Sequence, residues 1–424
     1  MRYAPHGGRV DLFAKFVEST GNPIATRSRS LHGAACFPRL VGDIGSRMMY
    51  KGVPQVVWSL NNYLGLAGDP AVRAADIESV TRHGLSAPMG SRMMSGDTED
   101  LEALETELAD FCRKPAALFL NYGYQGMISL IDALLTRQDW LVYDSAGHAC
   151  ILDGVRLRNG RVRAFRHNDV ERLADVLARI ERERAPDEAV LVVTEGVFGM
   201  SGAVAPLRDI VALKQRYDFR LLVDDAHGFG VMGPTGGGTG EAQGVHDGID
   251  LYFATFAKAG ASIGAFVASS AEVVWRLRYT MRSQIFAKSL PWPIVASNRV
   301  RLDLIRSRPE LRRRCWTIAE ALQSGLRERG MEVRGTASPI TPVHLAMTVA
   351  QAGEYVEAMR LRHGVFCSAV SYPVVPPDVV QLRLVPTAVH DLADVAATLD
   401  AIPAAYAAMT GRPLPLTAAA PDVT

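Results

Sequence analysis

The sequence predicts an α/β protein built on a large, mainly parallel sheet. Four short apolar runs, separated by helix-length segments, end in polar or glycine-rich residues, and they lie at 140–143, 190–193, 219–223 and 251–253. Continuous apolar runs are typical of strands buried on both faces of a parallel sheet. Because ligands in such sheets bind beyond the carboxyl ends of the strands, we expect the polar residues after these runs to converge on one site.

Lys258 follows the last of these runs, in the segment Ala254-Thr255-Phe256-Ala257-Lys258-Ala259-Gly260. The small residues around it leave room for a flat ring, which is the setting that a Schiff-base lysine needs. A solvated loop lysine is the alternative when the residue is considered alone. The polar residues after the other runs favour the catalytic interpretation, and they are His148, Glu195, Asp224 and His227.

A fifth run, 117–120, leads into the glycine-containing segment Asn121-Tyr122-Gly123-Tyr124-Gln125-Gly126 and then into a helical pattern at 127–135. Glycines between a strand and a helix let backbone N–H groups face a phosphate. An ordinary turn between strand and helix is the alternative for this segment alone. A phosphate cradle, a Schiff-base lysine and an acid directed at a ring together indicate a pyridoxal phosphate site.

Composition excludes several function classes. The chain has 424 residues, and its 46 Lys and Arg against 45 Asp and Glu give a net charge of +1, which does not indicate binding to nucleic acid. The basic cluster at 308–314 is interpreted as a solvated helix face. A chain of this length can bury a large core and is expected to form two structural domains.

The five cysteines are scattered and without metal-ligand spacing, so we expect reduced thiols in a cytoplasmic protein and no metal site. The first residues lack the apolar core of a signal peptide. No stretch approaches the roughly 20 apolar residues of a spanning helix. The sequence therefore predicts no integral membrane segment, although a lipid-like substrate would still bring the protein to a membrane surface.

The order of patterns along the chain predicts four parts. Residues 1–60 form an N-terminal arm with a helix near 10–19 and a hairpin around 49–58. Residues 61–297 form the large α/β domain, and 298–410 a smaller α+β C-terminal domain with a bridging helix at about 292–329 and strands near 342–347, 365–367 and 380–384. Residues 411–424, rich in Pro and Ala, are expected to be a disordered tail.

Several motifs occur in an order that identifies a family. They are Asn61-Asn62-Tyr63-Leu64-Gly65-Leu66, Gly90-Ser91-Arg92, His148-Ala149-Cys150-Ile151-Leu152-Asp153-Gly154, Thr194-Glu195-Gly196-Val197-Phe198, Asp224-Asp225-Ala226-His227-Gly228, Thr255-Phe256-Ala257-Lys258 and Leu382-Arg383-Leu384. From about residue 58 to 405 the chain resembles the α-oxoamine synthase family of fold-type I pyridoxal phosphate enzymes, and is most similar to bacterial serine palmitoyltransferase-type proteins.

The resemblance implies four catalytic roles. Lys258 would hold the cofactor and move the α-proton of the substrate, since a lysine released by the substrate amine lies beside the Cα. Asp224 would contact the pyridine nitrogen and favour its protonated form. His148 would stack on the ring and face the substrate carboxylate, and His227 would donate to the phenolic oxygen of the cofactor.

Further residues are implied in binding. Thr255 and the 123–126 segment, with Gly123 and Tyr124, would hold the phosphate. Arg383 offers a two-pronged match to the amino-acid carboxylate, with an internal salt bridge as the alternative, and Asn61 would assist from the partner subunit. Glu195 is either a cofactor contact or a helix cap. Asp225 is expected to be structural.

The chain also departs from the family pattern. Leu101 stands where a histidine is usual, Gly199 where many members have a serine beneath the ring, and Tyr122 where a small residue precedes the phosphate-loop glycine. The stretch Ala287-Lys288-Ser289 replaces a hydroxyl-rich one, so Lys288 would substitute in binding the neighbouring subunit's phosphate. The family's arginine-containing mobile loop is replaced by 372–377, which leaves the amino-acid and acyl specificity open.

The function that the resemblance implies is a homodimeric acyltransferase, which joins an α-amino acid to an acyl thioester by decarboxylative Claisen condensation. L-Serine and a long-chain acyl-CoA, as in sphingolipid biosynthesis, are favoured, with alanine, glycine or an acyl carrier protein donor as alternatives. An aminotransferase or decarboxylase on the same fold is a second hypothesis. A non-catalytic partner subunit is a third, which the presence of Lys258 argues against.

Overall fold

The computed structural model describes residues 11–19, 36–158, 160–333, 337–372 and 374–413. These residues form three sheets with helices packed on them. The strands are β1 Leu40–Val41, β2 Arg47–Tyr50, β3 Val53–Val57, β4 Ala116–Leu120, β5 Trp140–Asp144, β6 Arg161–Phe165, β7 Val190–Glu195, β8 Arg220–Asp224, β9 Leu251–Thr255, β10 Ala265–Ser269, β11 Thr341–His344, β12 Val365–Phe366, β13 Ser368–Val370 and β14 Gln381–Leu384. The α-helices are Leu12–Glu18, Pro70–His83, Glu99–Phe111, Gly123–Leu134, Ala149–Arg158, Val170–Glu183, Leu207–Ala212, Thr239–Ala242, Ala271–Thr280, Arg282–Ile285, Trp292–Ser307, Pro309–Glu328, Val349–His363 and Leu392–Thr410.

The largest sheet has seven strands in the order β4-β10-β9-β8-β7-β5-β6. Its strands run parallel except β10, which pairs antiparallel with both β4 and β9. The prediction of a mainly parallel sheet is therefore confirmed, and the four apolar runs are β5, β7, β8 and β9. The carboxyl ends of these four strands lie at one edge of the sheet.

The sheet is buried on both faces, as the continuous apolar runs predicted. Along β7, Val192 packs into one apolar cluster with the helices at 99–111 and 170–183, whereas its neighbours Leu191 and Val193 pack into a second cluster with the helix at 123–134. This alternation follows from the strand geometry, because successive side chains point to opposite faces. The two layers of helices leave only the sheet edge open for a site.

The N-terminal arm forms the predicted hairpin and helix. β2 and β3 pair antiparallel, Tyr50 opposite Val53, and the helix spans Leu12–Glu18. Val10, at the start of the predicted helix, lies outside the described residues. β3 also pairs in parallel with β12, so the hairpin is hydrogen-bonded to the C-terminal part of the chain.

The bridging segment is two helices and not the single one that was predicted at 292–329. The first is Trp292–Ser307 and the second Pro309–Glu328, with Arg308 between them at φ −116° and ψ 65°. Pro309 causes the break, because its ring disfavours helical geometry at the preceding residue and it has no N–H to donate. The predicted domain boundary at residue 298 falls inside the first of these helices, and the division into domains stays a prediction.

The C-terminal part contains the three-stranded antiparallel sheet β11-β14-β13. Its last helix, Leu392–Thr410, has the length and composition of a membrane-crossing helix. Val395, Leu399 and Ile402 of this helix are buried in an apolar cluster with residues of the helices at 309–328 and 349–363, so packing within the protein accounts for their apolar character. Gly411 ends the helix in a left-handed conformation. Residues 414–424 of the predicted tail lie outside the described residues.

Candidate active site

Two carboxylates and a lysine meet at the carboxyl edge of the large sheet. Glu195 ends β7 and Asp224 ends β8, and the strand register pairs these two residues directly. Both are buried, at 6% and 5% exposure. Lys258 lies three residues after β9. It is close enough for its positive charge to oppose the rise that burial causes in the pKa of both carboxyl groups. The convergence of these three residues, expected from the strand ends, is therefore observed.

Burial controls the protonation of this pair. It raises the pKa of Glu195 well above its usual range, and the neighbouring charge of Asp224 raises it further. Burial also raises the pKa of Asp224, against the attraction of Lys258. The Glu195 carboxyl group accepts hydrogen bonds from the backbone N–H groups of His148 and Gly199. Since His148 directly precedes the helix Ala149–Arg158, Glu195 holds the start of a helix as well as two loops of the site.

Lys258 begins a turn, in which its own carbonyl group accepts a hydrogen bond from Ala261 N at 2.9 Å. Ala261 has a φ of 49°, an uncommon left-handed conformation for a residue with a side chain. Burial lowers the pKa of Lys258, and the opposing attraction of Asp224 and Glu195 does not cancel this effect. A lower pKa increases the fraction of neutral amine, which is the nucleophilic form.

His148 is exposed at the site opening, and its ring is held from two sides. Its Nδ1 atom lies 3.0 Å from Cys150 Sγ and 3.3 Å from Cys150 N. Tyr124 meets it edge to face at 5.9 Å between ring centroids. Cys150 Sγ in turn lies 3.9 Å from Asp224 Oδ2. The sequence reasoning gave Cys150 no role, although its position two residues after the histidine was a usable signal.

His227 is buried against a second residue that the sequence reasoning did not assign, Tyr63. His227 Nδ1 and the Tyr63 hydroxyl are 2.8 Å apart. Burial is the main cause that lowers the pKa of His227 well below its usual range, and burial also raises the pKa of Tyr63. The other ring nitrogen faces Gly199, where an added Cβ would lie 2.4 Å from His227 Nε2. The glycine that departs from the family pattern is therefore required by the position of this histidine.

Arg383, on β14, is 9% exposed and forms no ion pair with a carboxylate among the residues that the structure describes. Its Nε donates to Gly199 O at 2.6 Å and a terminal nitrogen donates to Asn61 Oδ1 at 3.1 Å. The Tyr63 hydroxyl also lies close to this guanidinium. Within the described ranges, Arg383 therefore does not form the internal salt bridge that was the alternative. The structure places Asn61 beside Arg383 of its own chain, and its expected action from the partner subunit stays a prediction.

The predicted phosphate loop is largely the first turn of a helix. The helix begins at Gly123, and not near residue 127 as the apolar pattern suggested, because Gly126 N already donates to Tyr122 O at 2.8 Å. No side chain caps this helix start. Thr255 lies beside it, since a Cβ on Gly123 would be 3.7 Å from Thr255 Cβ. An uncapped helix start with a glycine and a threonine is suited to a phosphate group.

Two residues predicted near the phosphate have other contacts within the chain. The Tyr124 hydroxyl donates to Asp153 Oδ2. Lys288 is exposed, and its amino group donates to the Met89 carbonyl while its own carbonyl accepts from Asn121 Nδ2 at 2.6 Å. Lys288 thus lies beside the start of the phosphate helix of its own chain. A role towards a partner's phosphate stays a prediction.

Three other expectations concern residues around the site. Asp225 is bonded to the side chain and backbone of Thr239 and to the Tyr252 hydroxyl, which agrees with a structural role. Leu101 is a buried core residue of the helix at 99–111. No cluster of His, Cys, Asp and Glu suited to a metal ion occurs in the described ranges.

Fold and site together define a fold-type I pyridoxal phosphate enzyme. The fit of the group to these residues rests on the uncapped helix start beside Thr255, the buried Asp224 at the strand edge, and Lys258 close to Asp224. The family model for aminotransferase class I and II matches residues 53–402. The chain belongs to this family and, within it, to the α-oxoamine synthases, which are pyridoxal phosphate-dependent acyltransferases.

Named relatives support this assignment. The chain is 47% identical over 395 residues to a cysteate-C-fatty acyltransferase of Capnocytophaga ochracea, covering 93% of this chain and 94% of that protein. It is 40% identical over 363 residues to an 8-amino-7-oxononanoate synthase of Geobacter sulfurreducens, covering 84% and 90%. The serine palmitoyltransferase of Sphingomonas wittichii has a similar structure, with a TM-score of 0.87, 29% identity and coverage of 95% of this chain and 100% of that chain. A serine palmitoyltransferase from S. paucimobilis with bound PLP and myriocin gives a TM-score of 0.86 at 31% identity, with the same coverage of 95% and 100%.

Proposed function

We propose that the protein joins an α-amino acid to a fatty acyl thioester, with release of CO2 and free thiol, to give an α-amino ketone. The observation that carries this proposal is Arg383, a buried guanidinium without a carboxylate partner among the described residues, close to Lys258 and His227. A buried cation requires compensation, and the carboxylate of an amino acid would supply it with two parallel hydrogen bonds.

Each nearby side chain has a defined task in this reaction. Bound pyridoxal phosphate would withdraw electrons from the Cα atom of the amino acid. Lys258, with its lowered pKa, removes the α-proton as a general base. Arg383 and His148 hold the carboxylate, which keeps the bond to CO2 away from the reactive orientation until the acyl group has been transferred. Asp224 compensates the positive charge of the ring nitrogen.

The choice of amino-acid substrate is proposed from the similarity to named relatives. The 47% identity to a cysteate-C-fatty acyltransferase favours L-cysteate, whereas the structural similarity to serine palmitoyltransferases at 29–31% identity favours L-serine. We propose cysteate first and serine second, which changes the order expected from the sequence motifs. Alanine and glycine follow. A long-chain acyl-CoA is the proposed donor, and an acyl carrier protein is the alternative.

Assembly and location complete the proposal. A homodimer is expected because the Met89, Met94 and Phe286 side chains are largely exposed beside the phosphate helix, and a partner subunit would cover them. All five cysteines are free thiols, which supports a cytoplasmic location. Native mass spectrometry of the cofactor-loaded protein tests the assembly, and the mass of a single chain in the active form would contradict it.

The deciding experiment combines four amino acids with a series of acyl thioesters. Cysteate, serine, alanine and glycine are each incubated with acyl-CoAs of increasing chain length and with acyl carrier protein donors, and ketone products are detected by mass. CO2 release is measured with and without the donor. Fast release from the amino acid alone, unchanged by the thioester, would replace the proposal with the decarboxylase alternative. Amino transfer to a 2-oxo acid would support the aminotransferase.

A further inference from the structure

Tyr63 connects two residues of the site that have different tasks. Its side chain is fully buried. On one side its hydroxyl lies 2.8 Å from His227 Nδ1, and on the other the hydroxyl is close to the guanidinium of Arg383. Ala388 N donates to Tyr63 O at 2.7 Å, which holds the backbone of Tyr63 against the segment that follows β14.

The direction of these hydrogen bonds follows from the chemistry of the groups. A guanidinium is positively charged and has only donors, so the Tyr63 oxygen directs its lone pairs towards Arg383. The single hydroxyl proton of Tyr63 is then free to be donated to His227 Nδ1. A ring nitrogen that accepts a hydrogen bond carries no proton, and in a neutral imidazole the proton is therefore on Nε2.

The neutral form of the ring and the direction of Nε2 are both supported. Burial and the positive charges of Lys258 and Arg383 lower the pKa of His227, which favours the neutral ring. Nε2 lies against Gly199, where the missing side chain makes room for the ring. Gly199 O accepts from Arg383 Nε at 2.6 Å, so the same arginine also fixes the loop that Nε2 faces.

We propose that Tyr63 is a positioning residue that holds His227 as the Nε2–H tautomer through the directional sequence Arg383 to Tyr63 to His227. His227 then presents a donor on the Gly199 side of its ring, where the resemblance puts the cofactor and its phenolic oxygen. Because Arg383 would also bind the substrate carboxylate, Tyr63 links amino-acid binding to the donor at the ring. The link between amino-acid binding and the donor at the ring rests on the proposed function, whereas the assignment of the His227 tautomer does not.

The tautomer is tested by NMR of protein labelled with 15N-histidine, with and without pyridoxal phosphate. His227→Asn identifies the resonances of His227 by difference. We expect wild-type His227 to show a protonated Nε2 and an unprotonated Nδ1, and Tyr63→Phe to lose this single pattern. A proton on Nδ1 in the wild-type protein would overturn the proposal, and this measurement requires no folded Tyr63 variant.

A matched variant separates the proposed role from the general loss of a buried hydroxyl. Tyr355 is also fully buried, and its hydroxyl donates to Ile402 O at 2.8 Å in the C-terminal cluster. Tyr355→Phe should leave the His227 resonances unchanged. Tyr63→Phe should lower kcat/KM for the amino acid about tenfold, as expected for one hydrogen bond at the site, while Tyr355→Phe should change it less than about twofold. Unchanged His227 resonances in Tyr63→Phe would refute the positioning role even if no acyltransferase activity were found.

Discussion

Glu195 and Asp224 are paired across two parallel strands, with both carboxyl groups buried at the same edge of the sheet. Two ionised carboxylates at such close range would repel each other in a medium of low polarity. Lys258 compensates one negative charge better than two, and burial together with the charge of Asp224 raises the pKa of Glu195 further than the pKa of Asp224 is raised. We infer that Asp224 carries the charge that the ring nitrogen needs and that Glu195 is the carboxyl group of the pair that is protonated first.

This inference predicts that Glu195→Gln is tolerated. The amide keeps the volume of the side chain and an acceptor oxygen for the N–H groups of His148 and Gly199, and it adds no charge. We expect kcat/KM within about threefold of the wild-type value, whereas Glu195→Ala, which loses both hydrogen bonds, should lower it by at least about tenfold. Steady-state kinetics at pH 7 checks this, and equal losses in the two variants would show that the charge of Glu195 is needed.

Gly199→Ser should disturb the site although it restores the residue that many family members have. Its Cβ would lie 2.4 Å from His227 Nε2, so the histidine or the loop must move. We expect weaker cofactor binding, by about tenfold or more, because His227 can no longer keep its position. Absorbance titration with pyridoxal phosphate measures this. Gly45→Ala is the control, since a Cβ there meets no atom within 4 Å.

The sequence predicted most of the residues of the site because strand ends at one sheet edge are brought together by topology alone. Lys258, Asp224, Glu195 and His148 each follow an apolar run, and those runs are easily recognised when buried on both faces. β6 was not recognised, since Arg161 and Arg163 interrupt its apolar pattern at the edge of the sheet. β10 has only two large apolar residues, Phe266 and Val267, among small ones, so its sequence does not stand out from the small-residue segment before it.

Contacts between residues distant in the chain could not be predicted. Arg383 meets Asn61 across 322 positions, and Tyr63 meets His227 across 164. Nothing in the local sequence specifies these pairs, because they depend on how the segment after β3 packs against β14 and against the segment after β8. The interrupted bridging helix was predictable in principle from Pro309.

Lys258→Ala should abolish covalent attachment of the cofactor and turnover together. Borohydride reduction followed by peptide mapping should find the cofactor on Lys258 in the wild-type protein. Lys51→Ala is a suitable control, since Lys51 is bound to Glu357 at 2.6 Å on the N-terminal hairpin. Cofactor attached to any other lysine would show that the site is assigned wrongly.

A lysine at position 383 should not take over the function of Arg383. The guanidinium donates from separate nitrogens to Gly199 O and Asn61 Oδ1, and a single ammonium group lacks this fork. We expect Arg383→Ala to weaken amino-acid binding by about 2–5 kcal/mol if the ion pair is desolvated, and Arg383→Lys to recover less than half of this loss. Amino-acid binding followed by cofactor absorbance measures both. Full recovery in the lysine variant would mean that charge alone is required.

His390 should make the folded state sensitive to acid. Its ring stacks on Trp58 at 3.9 Å between centroids with an interplanar angle of 4°. Nε2 lies 3.1 Å from Val57 O, to which it donates, and Nδ1 accepts from Thr387 N at 3.2 Å and from the Thr387 hydroxyl at 2.7 Å. A proton on Nδ1 would meet two donors, and together with burial this opposes the charged ring. Burial lowers the pKa of His390 to about 4 from the ordinary 6.5.

Because the folded state binds this proton less tightly than the unfolded chain, the stabilisation is present above pH 6.5 and is lost as the pH falls towards 4. The difference between these two pKa values corresponds to about 3 kcal/mol in the free energy of unfolding. His390→Phe keeps a ring on Trp58 but cannot titrate, so its free energy of unfolding should fall by about 3 kcal/mol less than that of the wild-type protein across this range. Burial raises the pKa of Asp225 to about 6. Asp225 therefore changes stability in the opposite direction, but it is common to both proteins and cancels in the difference.

Reversible urea unfolding at several pH values measures how the free energy of unfolding of each protein changes with pH. His83→Phe is the control, because the His83 ring is also stacked on a tryptophan, Trp292, at 5.4 Å. Equal slopes for the wild-type protein and His390→Phe would show that His390 is already charged in the folded state or that the acid sensitivity has another source.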